Sequence, residues 1–486
     1  MDRKNAWNKY DDEGRKRIFS FADSYKNFIS ECKTERECVK EAVRLAEESG
    51  YKNLFDVINN NERLESGDKV YAVNKEKAIV LFSMGREPME NGLNILGAHI
   101  DSPRLDIKQN PLYEDSGLAL MDTHYYGGIK KYQWVAMPMA LHGIVALKDG
   151  TSVEICIGEK SDEPVVGISD LLIHLAAEQM NKKADKVIEG EDLNVLVGSM
   201  PAKRDDNGEI ADALKSGEET ADIKGVNNDK NSEKDAVKAH ILSLLKERCG
   251  IEEEDFLSAE LCVVPAGPAR DYGIDRSMVI GYGHDDRVCA YPSLIAQLES
   301  ENPEKTSVCI LVDKEEIGSV GATGMHSRFF ENMVAEVMDR SGQYSELKLR
   351  RALSNSNMLS SDVNSAYDPN YPNVNEKKNT AYFGKGVVFM KYTGSRGKSG
   401  SNDASAEYLA KLRKIMDDND VAFQTAELGR VDLGGGGTIA YILANYGMNV
   451  IDSGVGVQNM HAPYEVISKV DLYEAYLSYK AFLKDA

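Results

Sequence analysis

The sequence predicts an α/β fold, a largely parallel central sheet flanked by helices, with a second, mainly β domain inserted into it. Three observations carry this. Apolar residues recur at helical spacing up to about residue 60. Short β-branched and aromatic runs alternate with helical segments on both sides of the middle third. The middle third itself changes character and ends in a long polar stretch.

Within 15–30, Ile18, Phe21, Tyr25 and Phe28 fall at helical spacing, and 35–48 repeats the pattern with Cys38, Ala42, Leu45 and Ala46. Strands are expected at 69–73, 77–82 and 93–99. Further on, 308–312 and 387–392 are apolar stretches with the β-branched and aromatic content of strands buried on both faces, and 449–453 is a shorter run of similar kind. Helices are expected between them at 292–299, 405–416 and 438–446. In the middle, 141–147 and 152–157 look like strands and 170–180 like a helix. From 203 to 234 the chain is rich in Asp, Glu, Lys, Asn and Gly and has no aromatic, too polar to bury a core, and reads as a mobile surface excursion. The inserted domain is placed at 106–255, leaving 1–105 and 256–486 as a discontinuous main domain, because the chemically loaded segments lie on both sides of it.

Composition narrows the function. With 79 acidic residues against 58 basic ones, the chain lacks the Lys and Arg excess that phosphate backbones demand, so nucleic acid is excluded as a partner. No apolar run reaches the length of a membrane span, and residues 1–10 carry no apolar leader. The seven cysteines are scattered and form no CxxC pair, and read as reduced thiols in a cytoplasmic protein. Any metal must therefore be held by His and carboxylate.

Five segments could do so. In the first, an apolar strand runs into His99, and Asp101 stands two residues on, on the same face of an extended chain. An acid so placed can orient the imidazole, although a lone His after a strand is commonly structural. The second holds Asp285 and Asp286 before an apolar helix, either a helix-capping pair or a carboxylate shared by two metals. The third, ending the 308–312 run, holds Glu315 and Glu316 before Gly318, Gly321 and Gly324. Adjacent carboxylates point differently, so one can bind a metal while the other reaches a water, the division of labour a hydrolytic metal site needs. Asp362 in the fourth suits a turn as well as a ligand, and His461 in the fifth precedes Pro463 in an extended loop. Scattered His and carboxylate ligands suit Zn²⁺, Co²⁺ or Mn²⁺ in a two-metal site.

In order, GAHIDSP (97–103), GHDDRVCAYPSL (283–294), DKEEIGSVGATG (313–324), SSDVNSAYDPNY (360–371) and MHAPYE (460–465) resemble the metal-binding segments of the aspartyl aminopeptidase family, co-catalytic zinc exopeptidases. ISDLLIHLA (168–176) and EDLNVLVGS (191–199) resemble that family's inserted domain. The resemblance implies two zinc ions, with Co or Mn as alternatives. His99 and Asp362 would hold one, Glu316 and His461 the other, and Asp285 would bridge them. It implies Glu315 as general base and Asp101 as the acid orienting His99. His174 resembles a histidine that reaches a neighbouring subunit's active site, the insert would be a dimerisation domain, and dimers would assemble to a dodecamer. Lys391 stands near the strand where the family places a basic residue to recognise acidic side chains. Asp286 and Arg287 depart from eukaryotic relatives, which usually have Asn and an apolar residue there.

The implied activity is hydrolysis of the amino-terminal residue from peptides, using a water activated between the two metals, with a preference for acidic residues as one option. Backbone N–H groups of Gly435 and Gly436, within the glycines 434–437, would serve the substrate or oxyanion, or the segment is a plain flexible turn. Rival readings are a two-metal deacylase of N-acyl amino acids and a non-catalytic assembly protein that keeps the fold. A nucleotide site is disfavoured, because no GxxxxGK[ST] or GxGxxG follows a strand.

Overall fold

The structure is a computed structural model that describes residues 4–203 and 235–486; the polar stretch 204–234 lies outside the described residues. The chain divides into two compact units, Met1–Ser102 with Pro268–Ala486, and Pro103–Gly267.

The first unit is built on nine strands: β1 (Lys52–Asn53), β2 (Lys69–Asn74), β3 (Ala78–Ser83), β4 (Asn94–His99), β5 (Ser307–Val312), β6 (Asn357–Ser360), β7 (Val387–Met390), β8 (Phe423–Thr425) and β9 (Asn449–Gly454). They lie in the order β1-β2-β3-β5-β4-β6-β9-β7-β8. The central neighbours β5, β4, β6 and β9 all run parallel, while β3 and β7 pair antiparallel with β5 and β9. Alternate residues of one strand face opposite sides of a sheet. Accordingly Leu81, Leu96 and Leu311 join one buried cluster while Val80, Ile95 and Ile310 join another. Helices α1 (Asp12–Glu31), α2 (Glu35–Glu48), α3 (His284–Leu298) and α4 (Lys469–Asp485) cover the first side, through residues such as Tyr25, Val39, Leu294 and Phe482. Phe330, Val334 and Leu443 cover the second. Burial on both faces is why these strands read as unbroken apolar runs.

A smaller sheet in this unit runs Arg270–Tyr272, Met278–Gly281, Glu465–Ser468, Gly456–Gln458, Asn364–Ser365. Its short strands adjoin the segments carrying Asp285, Asp362 and His461.

The second unit is a six-stranded antiparallel sheet, Ser152–Ile157, Met139–Ala146, Ala259–Pro265, Arg104–Asp115, Leu118–Tyr126, Val195–Gly198, with the helix Ala236–Cys249. It runs past residue 255 because Ala259–Pro265 is a central strand of this sheet. The helix expected over 170–180 is only a 3-10 turn, Ile173–Leu175, and one α turn, Ala177–Met180. The physical reason is that Leu171, Leu172, Ile173, Leu175 and Met180 are exposed, and a short helix without a packed apolar face gains little to hold it. Among the described residues no helix is long and apolar enough to cross a membrane.

Candidate metal centre

Three parallel neighbours deliver their carboxyl ends to one edge of the large sheet, the edge where open α/β sheets bind ligands. His99 is the last residue of β4, Glu315 and Glu316 follow β5, and Asp362 follows β6. The remaining two ligand candidates arrive from the smaller sheet. Met278–Gly281 leads into Asp285, and His461 lies on the connection between Gly456–Gln458 and Glu465–Ser468. Two of the turns use left-handed backbone outside glycine, at Lys314 (φ 71°) and His461 (φ 64°). Such conformations cost energy and persist only where surrounding structure holds them.

Asp285 is the hub. One carboxylate oxygen lies 3.3 Å from His99 Nε2, and the other lies 3.2 Å from His461 Nε2. Glu316 Oε2 is 3.5 Å from the same His461 nitrogen. Two sets of ligand atoms each fall within 4.8 Å of one another: His99, Asp285 and Asp362, and Asp285, Glu316 and His461. The two sets share Asp285. Glu315 belongs to neither, and its Oε2 stands 3.9 Å from His99 Nε2.

Asp101 is fully buried and does two things. Its Oδ1 lies 3.3 Å from His99 Nδ1, and its carboxylate accepts the backbone N–H of Glu315 (3.1 Å) and of Glu316 (3.2 Å). His99 Nδ1 is also 3.0 Å from the Asp101 carbonyl oxygen. A carbonyl only accepts, so Nδ1 carries the hydrogen, and Nε2 faces Asp285 with a position that a proton or a metal must occupy. A lone pair facing a carboxylate needs a cation between them, which is the arrangement of a metal-binding histidine.

The electrostatics agree. Burial, opposed by His99 and reinforced by Asp101 and Asp285, pushes Glu315 up to about 7. Burial likewise raises Glu316 and Asp362 well above the carboxylate range, with the charges of Asp285 and of Asp286 adding respectively. Asp285, by contrast, is held low: burial would raise it, but hydrogen bonds from His461 and His99 outweigh that. Burial would also lower His99, yet the Asp101 and Asp285 carboxylates hold it well above its ordinary value, so without a metal Nε2 carries a proton in the place a metal would take. So many acids in one buried place call for positive charge. Glu316 Oε1 is buried with no hydrogen-bond partner among the described residues. The residues fit two divalent cations of borderline softness such as zinc.

The substrate-side expectations fare differently. Lys391 Nζ is bonded to Asp403 Oδ1 at 3.0 Å, on an exposed stretch. Gly435 adopts φ 114°, and a Cβ there would collide with the Gly394 carbonyl, so this glycine is required by a close backbone approach. The Gly436 carbonyl accepts the Gly394 N–H at 2.7 Å. The helix expected from Thr438 covers only Ala440–Ala444. His174 is exposed on the Ile173–Leu175 turn of the second unit.

Sequence reasoning missed Glu465. Its carboxylate accepts the backbone N–H of Asp285 (2.9 Å) and of His461 (2.7 Å), tying both segments together. Burial and the Asp285 charge push it up to about 8. Its sequence marks are its place four residues after His461 and at the end of MHAPYE.

Residues 28–483 match the family described as aminopeptidase I zinc metalloprotease (M18). A probable M18 family aminopeptidase 1 of Clostridium acetobutylicum is 60% identical over 482 residues, covering 99% of this chain and 98% of that one. The crystal structure of an M18 family aminopeptidase from Thermotoga maritima superposes with a TM-score of 0.89 at 43% identity, covering 100% of both chains. The Saccharomyces cerevisiae mApe1 dodecamer shares the fold, with a TM-score of 0.72 at 19% identity over 95% of this chain and 96% of that one. A buried cluster of acids and histidines at the sheet edge, with two sets of converging ligand atoms, thus sits in a chain matched to one enzyme family over residues 28–483: this protein belongs to the aminopeptidase I zinc metalloproteases (M18), and is a zinc metallo-aminopeptidase.

Proposed function

We propose that the enzyme removes the amino-terminal residue from peptides with Glu315 as general base at a two-zinc site. His99, Asp362 and Asp285 would hold one ion, and Asp285, Glu316 and His461 would hold the other. The observation that carries this reading is the Asp285 carboxylate set between two imidazole Nε2 atoms, with Glu315 beside them and outside both ligand sets. Zinc in these places would supply Lewis-acid activation of water and of the scissile carbonyl. Glu315 takes the proton of the attacking water and returns it to the departing nitrogen, so that one water is consumed for each amino acid released. Asp101 fixes the Nδ1–H tautomer of His99 and, through the two N–H groups it accepts, the placing of Glu315 and Glu316. The substrate's free α-amino group would be held by the acids of the centre. Because Lys391 is engaged by Asp403, acidic preference is not carried into this proposal.

A panel of aminoacyl anilides and their N-acetylated counterparts tests the exopeptidase assignment. A site built to bind the free amine rejects blocked substrates on the order of 10⁴-fold. Equal or better turnover of the N-acetyl compounds would make the enzyme a deacylase instead.

The unit Pro103–Gly267 is the proposed dimerisation domain, within dimers that assemble to a dodecamer. Support comes from the run of exposed apolar residues Leu171, Leu172, Ile173 and Leu175, from 46% to 68% accessible, which a lone chain would leave in water. Light scattering on the purified enzyme should return twelve chains per particle; a monomeric mass contradicts the assignment.

A further inference from the structure

A buried arginine beside the metal ligands has no part in the chemistry above. Arg287 lies two residues after Asp285 on α3 and is fully buried. An arginine is costly to bury, and its planar fork recovers that cost only when its donors meet fixed acceptors. Two do. Nη2 donates to the Lys33 carbonyl at 2.9 Å, and Nε donates to the Ile100 carbonyl at 3.3 Å. The guanidinium also lies 5.4 Å from the centre of the Tyr282 ring.

The two carbonyls are unlike in kind. Lys33 sits at the corner between α1 and α2, where its own N–H and that of Thr34 both donate to Glu37 Oε2 in the capping box that opens α2. That corner is a rigid post. Ile100, by contrast, is the link between His99 and Asp101, beyond the last residue of β4. Its N–H donates to the Val312 carbonyl at 2.9 Å, so the strand neighbour holds one side of the residue and Arg287 holds the other. The peptide joining Ile100 to Asp101 is thereby fixed in plane, and with it the Asp101 carboxylate and carbonyl that set His99, Glu315 and Glu316. Gly283 makes room for this: a Cβ there would collide with the guanidinium. Ser102 Oγ donates to the Asp285 carbonyl at 2.6 Å and closes the link between the two ligand-bearing segments.

We infer that Arg287 is a positioning residue of the metal centre, fastening the Ile100 peptide to the α1–α2 corner and acting on the metals through Asp101. This rests on the ligand assignment proposed above.

Cobalt titration of the metal-free, full-length enzyme, followed by visible absorption, tests it. Arg287→Met should weaken cobalt binding about 10–100-fold, the usual cost of losing a group that orients metal ligands. Asp101→Asn should weaken it as well, and the double variant should bind no more weakly than Asp101→Asn alone, because both changes act on one element. A folded Arg287→Met enzyme with wild-type cobalt affinity overturns the inference. So does a double variant whose loss is the product of the two single losses, since that places Arg287 outside the Asp101 path. Should Arg287→Met fail to fold, Arg287→Lys carries the same test: it keeps the charge and stem, but an ammonium cannot bond both carbonyls as the planar fork does, so binding should still weaken and still not add to Asp101→Asn. If His99→Ala and His461→Ala leave cobalt binding untouched, the ligand assignment itself fails, whatever Arg287 does.

Discussion

Glu315→Gln is expected to lower kcat by about 10²–10⁴-fold while bound zinc stays at its wild-type level. The amide keeps the size and the polar oxygen of the side chain but cannot accept a proton at neutral pH. Nothing else in the centre need change. The Glu315 N–H still reaches Asp101, and neither ligand set includes the Glu315 side chain. Metal analysis alongside steady-state kinetics reads both halves. A variant that keeps most of its turnover removes Glu315 from the base position. One that loses metal together with activity makes it a ligand, against its place outside both sets.

Asp285→Asn should do more damage and of another kind. Its two oxygens face His99 and His461 separately, so this is the one side chain common to both sets. An amide offers a single oxygen, and its NH₂ would point at an imidazole nitrogen that a metal must occupy. Both ions should therefore be lost together, and activity should fall by at least about the 10⁴-fold that bounds the contribution of one acid–base group. Substituting Glu316 or Asp362 should instead deplete one ion preferentially. Elemental analysis of the three variants separates the cases, and an Asp285→Asn enzyme retaining one full equivalent of zinc would deny its shared role.

Much of the fold was legible because the sheet is covered on both faces. That is why 308–312 and 387–390 stand out as unbroken apolar runs, and why the ends of such runs marked where His99, Glu315 and Glu316 would lie. The inserted unit was harder. The 170–180 segment has helical composition, but its large apolar residues Leu171, Leu172, Ile173, Leu175 and Met180 stay exposed, and composition cannot show what a segment packs against. The strand Ala259–Pro265 pairs with partners more than a hundred residues earlier, which no local pattern announces.

The site divides in the same way. Residue type and position after a strand suggested His99 and the glutamate pair. Asp362 looked like any turn acid until β6 brought it beside β4. Asp101 was expected to orient His99, but its grip on two backbone N–H groups depends on the turn after β5 and has no sequence mark. Glu465 and Arg287 act almost wholly on backbone atoms of other segments, so their partners become visible only once the chain is folded.

Anomalous diffraction at the zinc edge from crystals of the zinc-loaded enzyme tests the two-metal assignment most directly. Two peaks are expected per chain, one enclosed by His99, Asp285 and Asp362 and the other by Asp285, Glu316 and His461, with Asp285 common to both. A single peak, or a peak liganded by Glu315, would contradict it.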